Sequence, residues 1–107
     1  RSRRDLGRLG ERIAAGFLLR RGARLVASNV RVGRGEIDLL VSIGGHVVAV
    51  EVKTRVREDP LIQLTGEKER RMWEAASRLS PRPSRIDVVA VRLDDGGATV
   101  RWVQGVV

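Results

Sequence analysis

Two carboxylates and a lysine near the middle of the chain have the types and the spacing of a metal-dependent hydrolytic site. Asp38 precedes Gly44-Gly45, and the sequence Glu51-Val52-Lys53 follows it. Apolar and polar residues alternate on both sides of the glycine pair, which predicts two half-buried strands joined as a β-hairpin. A two-residue loop places Ile43 opposite His46 and so fixes the register of the hairpin.

That register puts Asp38 directly opposite Glu51, and Glu36 opposite Lys53, on one face of the hairpin. The other face is apolar and is expected to pack into the core, with three facing pairs: Ile37 and Val52, Leu39 and Val50, and Val41 and Val48. Opposed residues of an antiparallel pair have Cβ atoms about 5 Å apart. Two carboxylates at that separation need a proton, a cationic side chain or a metal ion between them.

Mg²⁺ or Mn²⁺ is the metal that suits such a pair. Hard cations of this kind bind oxygen ligands, often one or two carboxylates, with water and substrate phosphates completing the shell. The chain has no Cys, and its single His, His46, is expected to be a plain turn residue, which argues against zinc or copper. Asp38 and Glu51 are therefore the candidate metal ligands.

Lys53 lies two residues after Glu51, on the same face of the predicted strand. Its ammonium group can hold a water molecule or stabilise charge on a transferring phosphoryl group. Because 19 of the 21 basic residues are Arg, a Lys here departs from the chain's own usage. The alternative is structural: Lys53 forms a cross-strand ion pair with Glu36, and an Arg neutralises Asp38 and Glu51. Spacing alone does not choose between the two.

Composition favours a nucleic-acid partner. The 107 residues carry a formal net charge of +8, an excess that points to a polyanion: nucleic acid first, then ribosomal RNA or an anionic membrane surface. The alternative is a generally basic surface with no specific partner. The three aromatic residues offer few platforms for base stacking, which makes single-strand binding by stacking less favoured.

The length predicts a single domain, 1–107, and the candidate site formed by Asp38, Glu51 and Lys53 makes a nuclease-like domain the expectation. No segment approaches the roughly 20 apolar residues that span a bilayer, so no membrane association is expected. The absence of Cys fits a reducing cytoplasm, and a homodimer is left open. The sequence does not begin with Met, which leaves open that native residues precede Arg1.

Hydrophobic periodicity predicts the element order α-β-β-β-α-β-β. The first helix is expected at 5–21, with an apolar stripe formed by Leu6, Leu9, Ile13 and Phe17. Glu11 lies on a second line beside that stripe, where small or apolar residues flank it; its alternative is an edge-of-core ion pair with an Arg. Strands are expected at 24–30, 36–43, 46–53, 86–93 and 98–103, with a polar loop at 55–63. The second helix should run from a cap at Thr65 to about residue 79.

Several motifs together resemble a known family. They are Gly35-Glu36-Ile37-Asp38-Leu39, Val50-Glu51-Val52-Lys53-Thr54-Arg55, Leu9-Gly10-Glu11, Asn29 with Arg31, Lys68 and Ile86-Asp87-Val88-Val89. They resemble the YraN-like family of uncharacterised bacterial proteins over nearly the whole chain. That family is placed in the restriction-endonuclease-like superfamily, whose site is an Asp followed by Glu-x-Lys, and its layout is similar to that of archaeal Holliday-junction resolvases.

The resemblance implies an α/β fold with a central mixed sheet flanked by helices. It also implies metal ligation by Asp38 and Glu51, a catalytic role for Lys53 and a contribution from Glu11. Supporting roles are expected for further residues around the site: Glu36, Arg55, Lys68 and Gln63. One loop departs from the family's Pro-x-Glu pattern, because Ile62 stands where the Glu is expected, which makes Gln63 the substitute candidate.

These observations predict a nucleic-acid-binding protein that acts as a Mg²⁺- or Mn²⁺-dependent endonuclease. It would hydrolyse phosphodiester bonds of DNA, with branched or repair intermediates as candidate substrates. Arg residues around the cleft would bind backbone phosphates and position the substrate. The alternatives are a non-catalytic nucleic-acid-binding module with the same fold, or an accessory subunit of a DNA repair complex.

Overall fold

The computed structural model of the protein describes residues 2–60 and 66–106. Within them the elements follow the predicted order: α1 (Arg3–Arg20), β1 (Arg24–Val32), β2 (Gly35–Ile43), β3 (His46–Val56), α2 (Gly66–Ser77), β4 (Arg85–Asp94) and β5 (Gly97–Val103). The strands form one sheet in the order β1-β2-β3-β4-β5. Strands β3 and β4 are parallel and the other neighbours are antiparallel. The mixed sheet flanked by helices, as the restriction-endonuclease-like resemblance implied, is confirmed.

The two helices cover opposite faces of this sheet. On the α1 side, Ala14 and Leu18 pack in one core cluster with sheet residues that include Val48 and Val50. On the α2 side, the intervening Ala49 packs in a second cluster with Met72, Ala75 and their neighbours. Strand β3 is therefore buried on both faces, as central strands between two helical layers are. Among the described helices, none is long and apolar enough to cross a membrane.

Helix α1 differs from the prediction in its start and in its buried face. It begins at Arg3, because the Ser2 hydroxyl caps it by accepting a hydrogen bond from the Asp5 amide at 3.1 Å. Its buried residues are Gly10, Ala14 and Leu18. The predicted apolar stripe is only half-buried. The helix lies too close to β3 for a side chain at Gly10, since a Cβ atom there would overlap the Thr54 hydroxyl.

Strand β3 is longer than its local sequence indicated. It runs to Val56, so the prediction of a polar loop from residue 55 is wrong at that end. Parallel pairing with β4, which continues as far as Val56 and Leu93, holds these polar residues in the sheet. The predicted cap Thr65 lies outside the described residues.

The hairpin register is confirmed from the Leu39–Val50 pair to the Ile43–His46 pair. The ladder ends at Leu39–Val50, so the predicted pairings of Asp38 with Glu51 and of Glu36 with Lys53 are not ladder pairs. The strands part there, and the Val52 amide donates instead to the Asp38 carboxylate at 2.9 Å.

The predicted facing of Ile37 and Val52 is wrong. Ile37 packs in the cluster on the α2 side, whereas Val52 packs against the cluster on the α1 side. The neighbouring strand is irregular at the same level. Asn29 lies between Ser28 and Val30, which pair with Leu39 and Ile37, and it has a φ of 51°. A left-handed residue interrupts the alternation of a strand, and this is the place where β2 changes the face that its side chains occupy.

Candidate active site

The predicted carboxylates meet where β2 and β3 separate. Glu51 is buried, with 4% of its surface exposed, and Asp38 is half-buried beside it. The two carboxyl groups interact, and the Val52 amide donates to Asp38. A carboxylate that accepts a backbone amide is held in one orientation, so the pair is fixed by the strands that carry it.

Asp38 is an unusually weak acid, and burial is the main cause. Burial first, and the charge of Glu51 second, raise the pKa of Asp38 from its ordinary value of 3.8 to about 8. The charge of Glu11 acts in the same direction, and the hydrogen bond from the Val52 amide opposes it. Two adjacent carboxylates in a buried place cannot both ionise easily. The pair therefore holds a proton at neutral pH.

Two lysines from different elements lie next to Glu51. Lys68, in the first turn of α2, forms an ion pair with Glu51. Lys53, half-buried on β3, has a pKa that is lowered first by burial and next by the charge of Lys68, while Glu51 raises it. The cation that pairs with Glu51 is thus Lys68 rather than the arginine that the structural alternative invoked.

Asn29 joins the two predicted glutamates. Its side-chain amide donates to Glu11 at 3.0 Å and to Glu36 at 3.3 Å. Glu36 also lies 3.9 Å from the Arg31 guanidinium, so it is held from β1. Sequence reasoning included Asn29 in a motif but gave it no role. Its only signal is its residue type, because Asn tolerates a positive φ better than most residues do.

The remaining predicted supporting residues are less closely involved. Arg55 is exposed; its guanidinium donates to the carbonyl of Thr54 at 3.0 Å and lies 3.5 Å from Glu58. Gln63 lies outside the described residues.

Asp87 is the other buried carboxylate among the described residues, and it was not predicted to be special. It is fully buried and accepts hydrogen bonds from the Arg85 guanidinium, from the Trp102 indole at 3.0 Å and from the Gly105 amide at 2.8 Å. A carboxylate with this many donors is satisfied. Asp87 thus ties the chain after β5 to β4, which is a structural role.

Asp38 and Glu51 line an open cleft, which we call the site cleft. Its volume is about 700 Å³, and Glu11, Lys53 and Lys68 also line it. Among the described residues, no three His, Asp or Glu side chains are grouped so that they could hold a metal. Two adjacent carboxylates beside open space nevertheless fit Mg²⁺ or Mn²⁺, which take one or two protein carboxylates and complete their shells with water and phosphate.

The fold and this site define an α/β protein with a mixed sheet and a buried carboxylate pair flanked by lysines. The sequence model of the uncharacterised protein family UPF0102 matches residues 10–91. The chain is 43% identical to a UPF0102 protein of Symbiobacterium thermophilum, a match that covers 94% of each chain. It is 40% identical to a UPF0102 protein of Renibacterium salmoninarum, over 90% of this chain and 89% of the other. A UPF0102 protein of Clavibacter michiganensis is 44% identical, over 87% and 86%.

The chain therefore belongs to the UPF0102 family, which confirms the YraN-like resemblance. The matched segment includes all the predicted site residues: Glu11, Glu36, Asp38, Glu51, Lys53, Arg55, Gln63 and Lys68.

Proposed function

We propose that this protein is a Mg²⁺- or Mn²⁺-dependent nuclease that hydrolyses phosphodiester bonds of DNA in the bacterial cytoplasm. The observation that carries the proposal is the Asp38–Glu51 pair, two interacting carboxyl groups that line an open cleft. Lys68 pairs with Glu51, but burial and the charge of Glu51 still raise the pKa of Asp38, so a second cation here would stabilise both carboxylates in their ionised form. A divalent ion bound between the two carboxylates would supply that cation.

Asp38 and Glu51 would hold the metal. When bound, the ion supplies Lewis acidity, which lowers the pKa of a coordinated water and neutralises charge on the phosphate. The Val52 amide keeps the Asp38 carboxylate oriented toward Glu51. Binding requires Asp38 to lose its proton, so metal affinity should rise with pH.

The two lysines bind and orient the phosphate in this proposal. Lys53 has a lowered pKa and lines the cleft beside the carboxylates, so its ammonium is placed to stabilise negative charge that develops on a phosphoryl group. Lys68 neutralises Glu51 before substrate arrives. Glu11, held by Asn29, borders the same cleft and can orient a water molecule.

Metal binding is the first test. Mn²⁺ titrated by calorimetry into wild type should bind, and Asp38→Asn should lose at least about tenfold in affinity, because mutating even a hydrogen-bond partner of a metal ligand typically costs about 10–100-fold. Asp95→Asn is the matched control, since Asp95 is 87% exposed and pairs with Arg57 away from the cleft. Equal Mn²⁺ affinity in wild type and Asp38→Asn would place the metal elsewhere.

Cleavage is the second test. Duplex, flap, junction and single-stranded DNA, with matched RNA, should be assayed with Mg²⁺ and with Mn²⁺. We expect metal-dependent cleavage of at least one structure by wild type and none by Glu51→Gln. If no substrate is cut although Mn²⁺ binds between the carboxylates, the nuclease proposal is wrong.

A non-catalytic nucleic-acid-binding module, alone or as a subunit of a repair complex, is the second candidate. The Lys68–Glu51 ion pair favours it, because a side chain already supplies the cation that the carboxylates need. This candidate predicts salt-sensitive DNA binding with no Mn²⁺ binding at Asp38. The calorimetric comparison therefore separates the two candidates without depending on finding the right substrate.

A further inference from the structure

A second cleft lies beside helix α1 and adjoins the site cleft. This α1 cleft has a volume of about 680 Å³ and is lined by Arg4, Arg8 and Arg31, among other residues. Gly7 and Glu11 line both clefts. The two clefts thus adjoin at these two residues of α1.

The cations of the α1 cleft are placed to bind successive phosphates. Arg4 and Arg8 are one helical turn apart, which is about 6 Å along the helix axis. Neither forms an ion pair with the acidic residues of the described chain, and both are exposed. Arg31 faces them from β1, with 85% of its side chain exposed and Glu36 at the edge of ion-pair distance.

The acidic residues of the α1 cleft do not cancel this charge. The carboxylates of Glu11 and Glu36 both accept hydrogen bonds from the Asn29 side chain, and Glu36 also faces Arg31. Three arginines against two glutamates leave a net positive charge among the residues that line this cleft.

Packing does not explain why residue 7 is a glycine. Glycine in a helix interior is destabilising by about 1 kcal/mol relative to Ala. Gly10 is required because a Cβ atom there would overlap Thr54, but a Cβ atom at Gly7 would meet nothing within 4 Å. A side chain at this position would project into the passage between the two clefts.

We propose that one strand of a nucleic acid crosses α1 at Gly7 on its way into the site cleft. Its phosphates contact Arg4, Arg8 and Arg31 on one side of the helix and reach Lys53 and Lys68 on the other. Gly7 keeps the passage open. This strand path rests on the proposed function, since it names how that site receives its substrate.

Blocking the passage tests the path. A labelled DNA oligonucleotide, single-stranded and duplex, is titrated with protein in EDTA, so that no cleavage occurs. Gly7→Leu should fold at least as stably as wild type, because Leu is the better helix former, yet weaken binding by about tenfold or more. Gly16→Leu is the matched control: it lies on the same helix, lines neither cleft, and its Cβ atom would meet only the mobile end of Arg20. It should bind within about twofold of wild type.

Removing the arginines gives an independent readout. The double variant Arg4→Ala/Arg8→Ala should reduce the slope of log affinity against log salt by about 2, one for each lost phosphate contact. The control Arg82→Ala/Arg101→Ala removes the same charge from exposed positions that line neither cleft, and it should leave the slope nearly unchanged.

The outcomes separate the path from the function. If wild type binds DNA and both test variants bind as their controls do, the strand path is wrong and the proposed function stands. If wild type does not bind DNA at any salt concentration, the proposed function falls and the path falls with it. If Gly7→Leu does not fold, the salt dependence of DNA binding by Arg4→Ala/Arg8→Ala decides alone whether the strand path is right.

Discussion

Lys53 and Lys68 both interact with the Glu51 carboxylate, but they belong to different elements. Lys68 reaches Glu51 from α2 in an ion pair. Lys53 belongs to the same strand as Glu51 and has a lowered pKa, because burial and the charge of Lys68 both disfavour its ammonium form. A compact charge on a flexible stem suits such a place, whereas the guanidinium of Arg is planar and always charged.

Exchange of Lys53 for Arg should therefore separate binding from catalysis. We expect Lys53→Arg to keep the melting temperature and the DNA affinity of wild type but to lose about 100-fold or more in metal-dependent cleavage. Arg101→Lys is the matched control, since Arg101 is exposed on β5 and lines neither the site cleft nor the neighbouring cleft beside α1. Cleavage by Lys53→Arg at the wild-type rate would leave Lys53 with a structural role only.

Asp38 should make the metal-free protein pH-sensitive. Its pKa is about 8 in the folded protein and 3.8 ordinarily, so between these values the folded state holds a proton that the unfolded state releases. Stability in EDTA should accordingly fall as pH rises from about 4 toward about 8. Asp38→Asn should lose this dependence, which urea unfolding at several pH values measures. An equal pH dependence in Asp38→Asn and wild type would mean that another group titrates.

At the scale of elements, the site depends on how closely each helix approaches the sheet. Gly10 lets α1 lie against Thr54 on β3, next to Lys53. Gly35 does the same for α2, because a Cβ atom there would lie 2.8 Å from the Arg71 carbonyl and 2.9 Å from the Ala75 side chain. Each helix carries one predicted site residue, Glu11 on α1 and Lys68 on α2. Gly10 and Gly35 thus set how closely the helices that carry Glu11 and Lys68 approach the two faces of the sheet.

Restoring a side chain at Gly10 should push α1 away from the sheet. We expect Gly10→Ala to lower the free energy of unfolding by about 1–3 kcal/mol, as overpacked cores do. Thr54→Ala removes the hydroxyl that the new methyl group meets. That hydroxyl is buried and has no hydrogen-bond partner among the described residues, so the single variant Thr54→Ala should cost little. The double variant should recover most of the loss, and additive effects in this cycle would show that the two positions do not touch.

The molecule as a whole carries a formal net charge of +8, which should dominate its interaction with DNA. Contacts to phosphates release counterions, so affinity should drop by at least about tenfold between 50 and 200 mM salt. The measurement is a salt series of DNA binding in EDTA. Duplexes of unrelated sequence should give similar slopes, since phosphate contacts do not read bases. An affinity that hardly changes with salt would contradict the phosphate-dominated interface.

Local features were predictable because they depend on neighbouring residues. The alternation on either side of Gly44-Gly45 gave the hairpin and its register, confirmed as far as Leu39 and Val50. Periodicity also gave the order of the elements. The same register predicted that Asp38 and Glu51 lie close together, and the two groups do interact, although the ladder ends one residue before them.

Features that join distant segments were decided only in the folded molecule. The left-handed Asn29 ends the regular alternation and holds Glu11 and Glu36 together, and backbone conformation is not visible in a residue type. The pairing of Glu51 with Lys68 depends on where α2 crosses the sheet. The length of β3 depends on its parallel partner β4. Side-chain periodicity reports which face of an element is apolar, but only packing between elements decides which charged groups meet.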